Sequence, residues 1–244
     1  MTGRARDLAL QQIRSNIDEN GSHIYVVSGG PLPRFAYTIG VRSLLGAELI
    51  LAGAAFYSAE DVARILNQAV AMVRLQPERR ELGVEIDSFG SFSLRNADAS
   101  WTTALMLGAL DFYGEKQIAA LQLVPDHEHW TVDVPNLAQR WNATAEPVWQ
   151  WLYEPWRLSV SARSVATTNL DALRGERITE AARWEEDQWE LFAGSGPDLA
   201  RDQIRVVPLA TLLAVDESLT AVTGLQVGRA LWREPLEAEW RSWG

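Results

Sequence analysis

His127-Glu128-His129 is the one place in this chain where two histidines stand at metal-ligand spacing. On an extended strand, positions i and i+2 share a face, so both imidazoles can reach one divalent ion, with Asp126 or His23 completing the shell. The same run also fits a solvated loop after a strand. A zinc or iron site needs at least three protein ligands, and the chain holds three histidines in all. A second set of groups is Tyr37, Thr38 and Glu48. A buried glutamate beside a tyrosine hydroxyl has a raised pKa and can serve as a general acid or base, with Asp126 as a further carboxylate. The alternative is a structural hydrogen bond between adjacent strands, since a buried polar group must be paired. Tyr37 and Thr38 point to opposite faces of a strand, so at most one of them lines a given site. No nucleophile, oxyanion donor or second base accompanies this set in the sequence, which favours the structural alternative.

Other chemistry is closed off by composition. The chain of 244 residues has no cysteine, which excludes disulfides, thiolate metal sites and cysteine nucleophiles. Ser28-Gly-Gly30 and Gly194-Ser-Gly196 lack the Lys-Ser/Thr or G-x-G-x-x-G context of a phosphate loop and read as turns. No G-x-S-x-G elbow is present. No cofactor is expected.

The net charge is −10, and Lys116 is the one lysine among 22 basic residues. Arg79 and Arg80 sit between Glu78 and Glu81, which cancels their field. Without a basic cluster to neutralise phosphates, a nucleic-acid partner is not expected. The start, Met1 to Asp7, leads into no apolar signal region, and the longest apolar run, Leu49–Tyr57, falls far short of the ~20 residues of a membrane span. The expectation is a cytoplasmic protein with no membrane partner.

All eleven tryptophans lie at or after Trp101. Trp184, Trp189, Trp240 and Trp243, flanked by Glu185, Glu186 and Asp187, form a candidate aromatic and acidic surface for a protein partner. The alternative is that the tryptophans fill the seam between two halves of the chain. The oligomeric state is not legible.

Several elements must position these groups. Leu10, Ile13 and Ile17 predict a helix over residues 3–19, stopped by Asn20-Gly21. Strands are predicted at His23–Ser28 and Arg34–Val41, paired antiparallel across a Gly/Pro loop, and at Glu48–Ala52. Ser58–Leu75 has a serine cap, acidic residues in its first turn and an apolar stripe from Val62 to Val73, with Pro77 beyond its end. A strand over Ser88–Arg95, a helix over Trp101–Phe112 and a strand over Gln117–Val124 follow, then an irregular stretch and a short helix opened by Pro147. Beyond residue 160 the pattern shifts to short strands at Ser164–Thr168, Ile178–Trp184, Trp189–Ala193, Gln203–Val207 and Arg229–Arg233, with a helix from Pro208 to Ala214.

Phe35-Ala-Tyr-Thr-Ile-Gly40 followed by Glu48-Leu-Ile50, and later Ala120-Leu-Gln-Leu-Val-Pro-Asp126, resemble an uncharacterised bacterial family, the domain-of-unknown-function family 4262. Ala47 stands where that family usually has proline. The resemblance covers about residues 10–140 and implies a fold and a lineage, not a reaction. In the second half, Gly175-Glu-Arg-Ile178, Trp189-Glu-Leu-Phe192, Asp216-Glu-Ser-Leu219 and Gly228-Arg-Ala-Leu-Trp-Arg233 are similar to a small immunity-type domain found beside bacterial toxin systems. That resemblance implies a protein partner.

Together these features predict an α+β protein with mainly antiparallel sheets in two sub-domains, residues 1–155 and 156–244. The expected function is non-catalytic protein binding of the immunity type. The alternatives are an enzyme with a site near Tyr37, Glu48 and Asp126, or a metal-dependent variant using His127 and His129.

Overall fold

A computed structural model describes residues 3–75, 83–194 and 199–243. Pro77, the Arg79–Arg80 pair and most of the loop begun by Gly194 lie outside the described residues. The chain is α+β, built on two six-stranded sheets that are mostly antiparallel.

The first helix, α1 (Gly3–Asn20), buries Ile13 and leads into β1 (His23–Val27). As the Gly/Pro loop predicts, β1 pairs antiparallel with β2 (Phe35–Ile39), His23 opposite Ile39. One turn of helix, α2 (Arg42–Leu45), then precedes β3 (Glu48–Ala52). Every residue of β2 and β3 is buried, so this pair carries the centre of the sheet. The capped helix forms as α3 (Ala59–Leu75). The Ser58 hydroxyl accepts from the Asp61 amide at 3.1 Å and donates to the Asp61 carboxylate at 2.6 Å, closing the first turn from both sides. Its stripe of Val62, Ile65, Leu66, Ala69, Val70 and Val73 is buried against one sheet face.

Two short strands follow, β4 (Val84–Ile86), which the sequence pattern does not mark, and β5 (Gly90–Asn96). The single helix expected over Trp101–Phe112 is two, α4 (Ala99–Leu105) and α5 (Leu107–Tyr113), broken at buried Met106. The break brings Gly108 against the sheet: a Cβ there would sit 2.7 Å from the Tyr37 hydroxyl, and the Gly108 amide donates to that hydroxyl at 3.1 Å. β6 (Ala120–Pro125) completes a sheet ordered β1-β2-β3-β6-β5-β4, in which β3 and β6 are the parallel pair. The face opposite α3 packs Tyr37, Ile39 and Ile50 with Trp101 and Trp149, the latter from a 3-10 turn at Pro147–Leu152.

The second sheet is built from β7 (Val165–Asn169), β8 (Glu180–Glu185), β9 (Gln188–Phe192), β10 (Ile204–Pro208), β11 (Arg229–Trp232) and β12 (Arg241–Ser242). Its order is β10-β7-β9-β8-β11-β12, with β7 and β9 parallel. One face is covered by α6 (Leu170–Leu173), α7 (Leu209–Val215) and a 3-10 turn at Glu217–Gly224.

The two halves share packing. Ala55 and Phe56 enter the second core, Ala214 packs on the first, and the Val132 amide donates to the Leu173 carbonyl at 2.8 Å. Where β3 ends, Gly53 and Ala54 both take left-handed backbone, φ +70° and +61°. A Cβ on Gly53 would lie 2.0 Å from the Asp133 carbonyl oxygen, so the turn and its packing against the Asp133 backbone require glycine there. Gly53→Ala is expected to cost about 2–4 kcal/mol in urea unfolding. A loss within about 0.5 kcal/mol, the usual range of surface changes, contradicts this packing.

Candidate functional site

Glu48 is fully buried at the first position of β3 and accepts five hydrogen bonds. Its Oε1 takes the Tyr113 hydroxyl at 2.6 Å and the amides of Gly40 and Arg42 at 3.0 and 3.1 Å. Its Oε2 takes the Thr38 hydroxyl at 2.6 Å and the Val41 amide at 3.3 Å. Three successive backbone amides thus wrap a carboxylate, the concave arrangement that favours an anion. Gly40 makes the wrap possible, because its φ of +106° turns the chain where a side-chain-bearing residue would be strained. Thr38 works in both directions, since its Oγ1 also accepts from the Leu49 amide at 2.9 Å.

Burial raises the Tyr113 pKa, and the hydrogen bond to Glu48 and the charge of Glu48 raise it further, so the phenol stays a donor. Burial likewise lifts Tyr37 to about 12. Tyr37 does not join the cluster: it stacks between Tyr25 and Phe35 in the core facing α5. An ionised carboxylate has about four lone-pair sites, and the chain's own donors fill them. The arrangement can hold the β2–β3 connection; it offers a substrate no free acceptor.

Asp126 lies elsewhere. Glu48 pairs with Ala120 across the parallel β3–β6 ladder, and Asp126 follows the far end of β6, six residues on or ~20 Å along a strand. There it accepts the Ser91 amide at 2.8 Å and the His129 ring at 2.6 Å. Burial raises its pKa, but the Ser91 amide and His129 outweigh this and hold the carboxyl below its ordinary value. His127–His129 is a 3-10 turn rather than the strand that would put both rings on one face. Its geometry sends the two side chains apart. His129 stacks on Tyr57 at 5.8 Å and edges Phe56 at 4.8 Å, while His127 is exposed. His127, Glu128, His129, Trp130, Phe56 and Arg174 line an open cleft of about 630 Å³.

In the second half, the motif residues converge on Arg233, whose side chain is fully buried. Its Nε donates to the Ile178 carbonyl at 2.8 Å, one terminal nitrogen to the Ser218 hydroxyl at 2.6 Å and the other to the Asp216 carboxylate at 2.7 Å. Trp240 stacks on the guanidinium at 4.2 Å. The Asp-x-Ser-Leu segment and the terminal arginine form a second clamp, of opposite sign to the first.

Residues 16–130 match the family described as a domain of unknown function (DUF4262). This match supports the family resemblance over that part of the chain. No curated protein and no solved structure matches the chain.

The DUF4262 segment holds the whole Glu48 clamp, including Tyr113, which no local pattern marked because it lies 65 residues from its partner. It holds two tryptophans, Trp101 and Trp130. Of the candidate partner residues outside it, Trp189 is 2% exposed, buried in the second core with Arg183 over its ring. That burial follows from strand alternation: Trp189 shares its face with Leu191, and Trp184 takes the other. Trp184 and Trp243 are each 51% exposed, and Glu185 and Glu186 are exposed in the β8–β9 turn. Asp187 accepts the Ser164 hydroxyl at 3.0 Å, and Trp240 is half-buried against Arg233.

Two outcomes follow. Glu48→Gln replaces two of the acceptor lone pairs with donors facing donors and should lose about 3 kcal/mol. Thermal unfolding should fall by roughly 10 °C, and an unchanged midpoint would refute the clamp. Because the Asp126 pKa is depressed in the folded state, its stabilisation is fully present above about 3.9 and is lost as pH falls through the lower folded value. Asp126→Asn should therefore flatten the acid limb of the stability profile; an acid limb as steep as the parent's contradicts this assignment.

Proposed function

We propose that this is a non-catalytic, cytoplasmic bacterial protein that acts by binding a basic protein partner, as an immunity-type protein does. The observation that carries the reading is the uncovered face of the second sheet. On it Trp184 is half exposed, its indole donating to the Glu190 carboxylate at 2.7 Å. Glu190 stands opposite Ala182 and Thr167, and Ala182 opposite Ala230, so these positions share one face. The Trp243 amide bonds the Ala230 carbonyl at 3.1 Å, which brings Trp243 to the edge of that face, and Arg241 lies over Trp232 at 4.9 Å. Val206, 67% exposed, continues it across Thr167.

Half-exposed tryptophans beside carboxylates are what a protein interface uses: aromatic anchors supply contact area and acidic groups steer a cationic partner. The net charge of −10 adds long-range attraction of the same sign. The Glu48 and Arg233 clamps support the non-catalytic part of the reading, since their polar atoms are taken up by the chain itself. Among the described residues, no helix is long and apolar enough to cross a membrane.

Affinity capture from the native host tests the proposal, with a Trp184→Ala/Trp243→Ala double variant as control. The parent should retain a basic protein that the variant binds at least about tenfold less, with equal thermal stability. Retention should also weaken at high salt. Equal capture by both proteins, or no partner with either, overturns it.

A further inference from the structure

We propose that a second site, in the cleft between the two halves, binds a small oxyanion, a carboxylate or phosphate group, through Arg34 and Arg205. The cleft has a volume of about 250 Å³. Arg34, Tyr57, Ser58 and Asp133 line it from the first half, and Arg205 and Val207 from the second. It is smaller than the ~300 Å³ at which pockets for drug-sized ligands begin, which excludes a nucleotide or a large cofactor.

The two guanidiniums are short of anionic partners. Arg34 donates from Nη2 to the Tyr57 carbonyl at 2.5 Å, and its Nε is buried with no hydrogen-bond partner among the described residues. Arg205 donates from Nε to the Phe56 carbonyl at 2.8 Å, and from Nη1 to the carbonyls of Asp202 and Ile204 at 2.6 and 2.9 Å. All these acceptors are neutral carbonyls. Among the described residues neither arginine forms an ion pair. Burial lowers the pKa of both arginines, only partly offset by the charges of Asp133 and Asp61 on Arg34 and of Asp202 and Asp61 on Arg205, and Arg205 lowers Arg34 slightly further.

Among the described residues Asp133 is the carboxylate that lines the cleft, while the charges of Asp61 and Asp202 act on the arginines from outside its lining. Asp133 accepts the Thr131 hydroxyl at 2.6 Å and the Ala55 amide at 3.2 Å, and its complete burial pushes its pKa up, weakening it as a counter-charge. Asp61 is held by the Ser58 cap and lies 3.8 Å from Arg64. Two guanidiniums on one partly desolvated cleft wall repel each other, and an anion bound between them would relieve that repulsion. A guanidinium's planar fork matches the paired oxygens of a carboxylate or phosphate. Left-handed Ala54, φ +61°, lies beside cleft-lining Gly53 and Ala55, where a fold keeps strain that its neighbours enforce.

Thermal unfolding and calorimetric titration of the full chain with sodium phosphate and sodium acetate, against sodium chloride at matched ionic strength, test this. At least one oxyanion should bind saturably and raise the midpoint, while chloride should not. Phosphate acting alone identifies a phosphate group, and a response to acetate identifies a carboxylate-accepting site; either supports the proposal. Arg34→Gln and Arg205→Gln should each weaken binding roughly tenfold, whereas exposed Arg201→Gln should leave it unchanged. Should a glutamine variant fail to fold, its lysine counterpart keeps the charge but loses the fork, and must still weaken binding. Oxyanions that act no more strongly than chloride, or an unaltered response in folded Arg34 and Arg205 variants, overturn the site.

Discussion

A carboxyl group buried away from water without a cation in direct contact must find its hydrogen-bond partners within the chain, because a buried polar group left unpaired is costly. Glu48 meets that constraint with five donors, drawn from β2, the turn at residues 40–42 and the end of α5. The rest of the first half depends on this. The clamp sets where β2 ends and β3 begins, and therefore the register that pairs Tyr37 with Ile50 and buries both central strands on two faces. A one-residue slip would turn every core side chain of those strands to the wrong face. The Tyr113 hydroxyl ties α5 to the same point, which holds Gly108 against Tyr37.

The second half solves an equivalent problem with the opposite charge. Arg233, at the end of β11, satisfies its guanidinium on Ile178, Ser218 and Asp216, so one side chain gathers three segments that are far apart in the chain. Breaking such a pair leaves a buried charge unpaired, which costs more than the pair itself contributes. The polar residues that stand out most in this sequence thus hold the two cores together. The two surfaces proposed for contact with other molecules, the tryptophan face and the arginine cleft between the halves, lie outside both clamps.

Much of this was legible in the sequence, for stated physical reasons. The α3 stripe, the antiparallel pairing of β1 with β2 and the shift to short strands after residue 160 follow local periodicity, and the structure has them. The Phe35–Gly40 string with Glu48 marked the family segment and three members of its clamp, Thr38, Gly40 and Glu48. What was not legible is set by contacts distant in sequence. Tyr113 joins Glu48 across the fold, and Asp126 is separated from Glu48 by the parallel β3–β6 pairing, which no local pattern announces. The 3-10 turn at His127–His129 arises because Asp126 caps it, accepting from the amides of Glu128 and His129. Trp189 and Trp184 differ in exposure although both lie near the same turn, because alternation along the strands sends them to opposite faces. Arg34 and Arg205 line one cleft from the two halves, 171 residues apart by their numbers, with no motif between them.

The central claim is that Glu48 holds the turn at Gly40, Val41 and Arg42 as firmly as a sheet hydrogen bond holds a strand. Amide hydrogen exchange measured residue by residue by NMR addresses it directly. If the carboxylate carries the turn, the amides of residues 40–42 exchange as slowly as those of β2 and β3, through global unfolding alone. Exchange at the rate of an open surface loop would contradict the account.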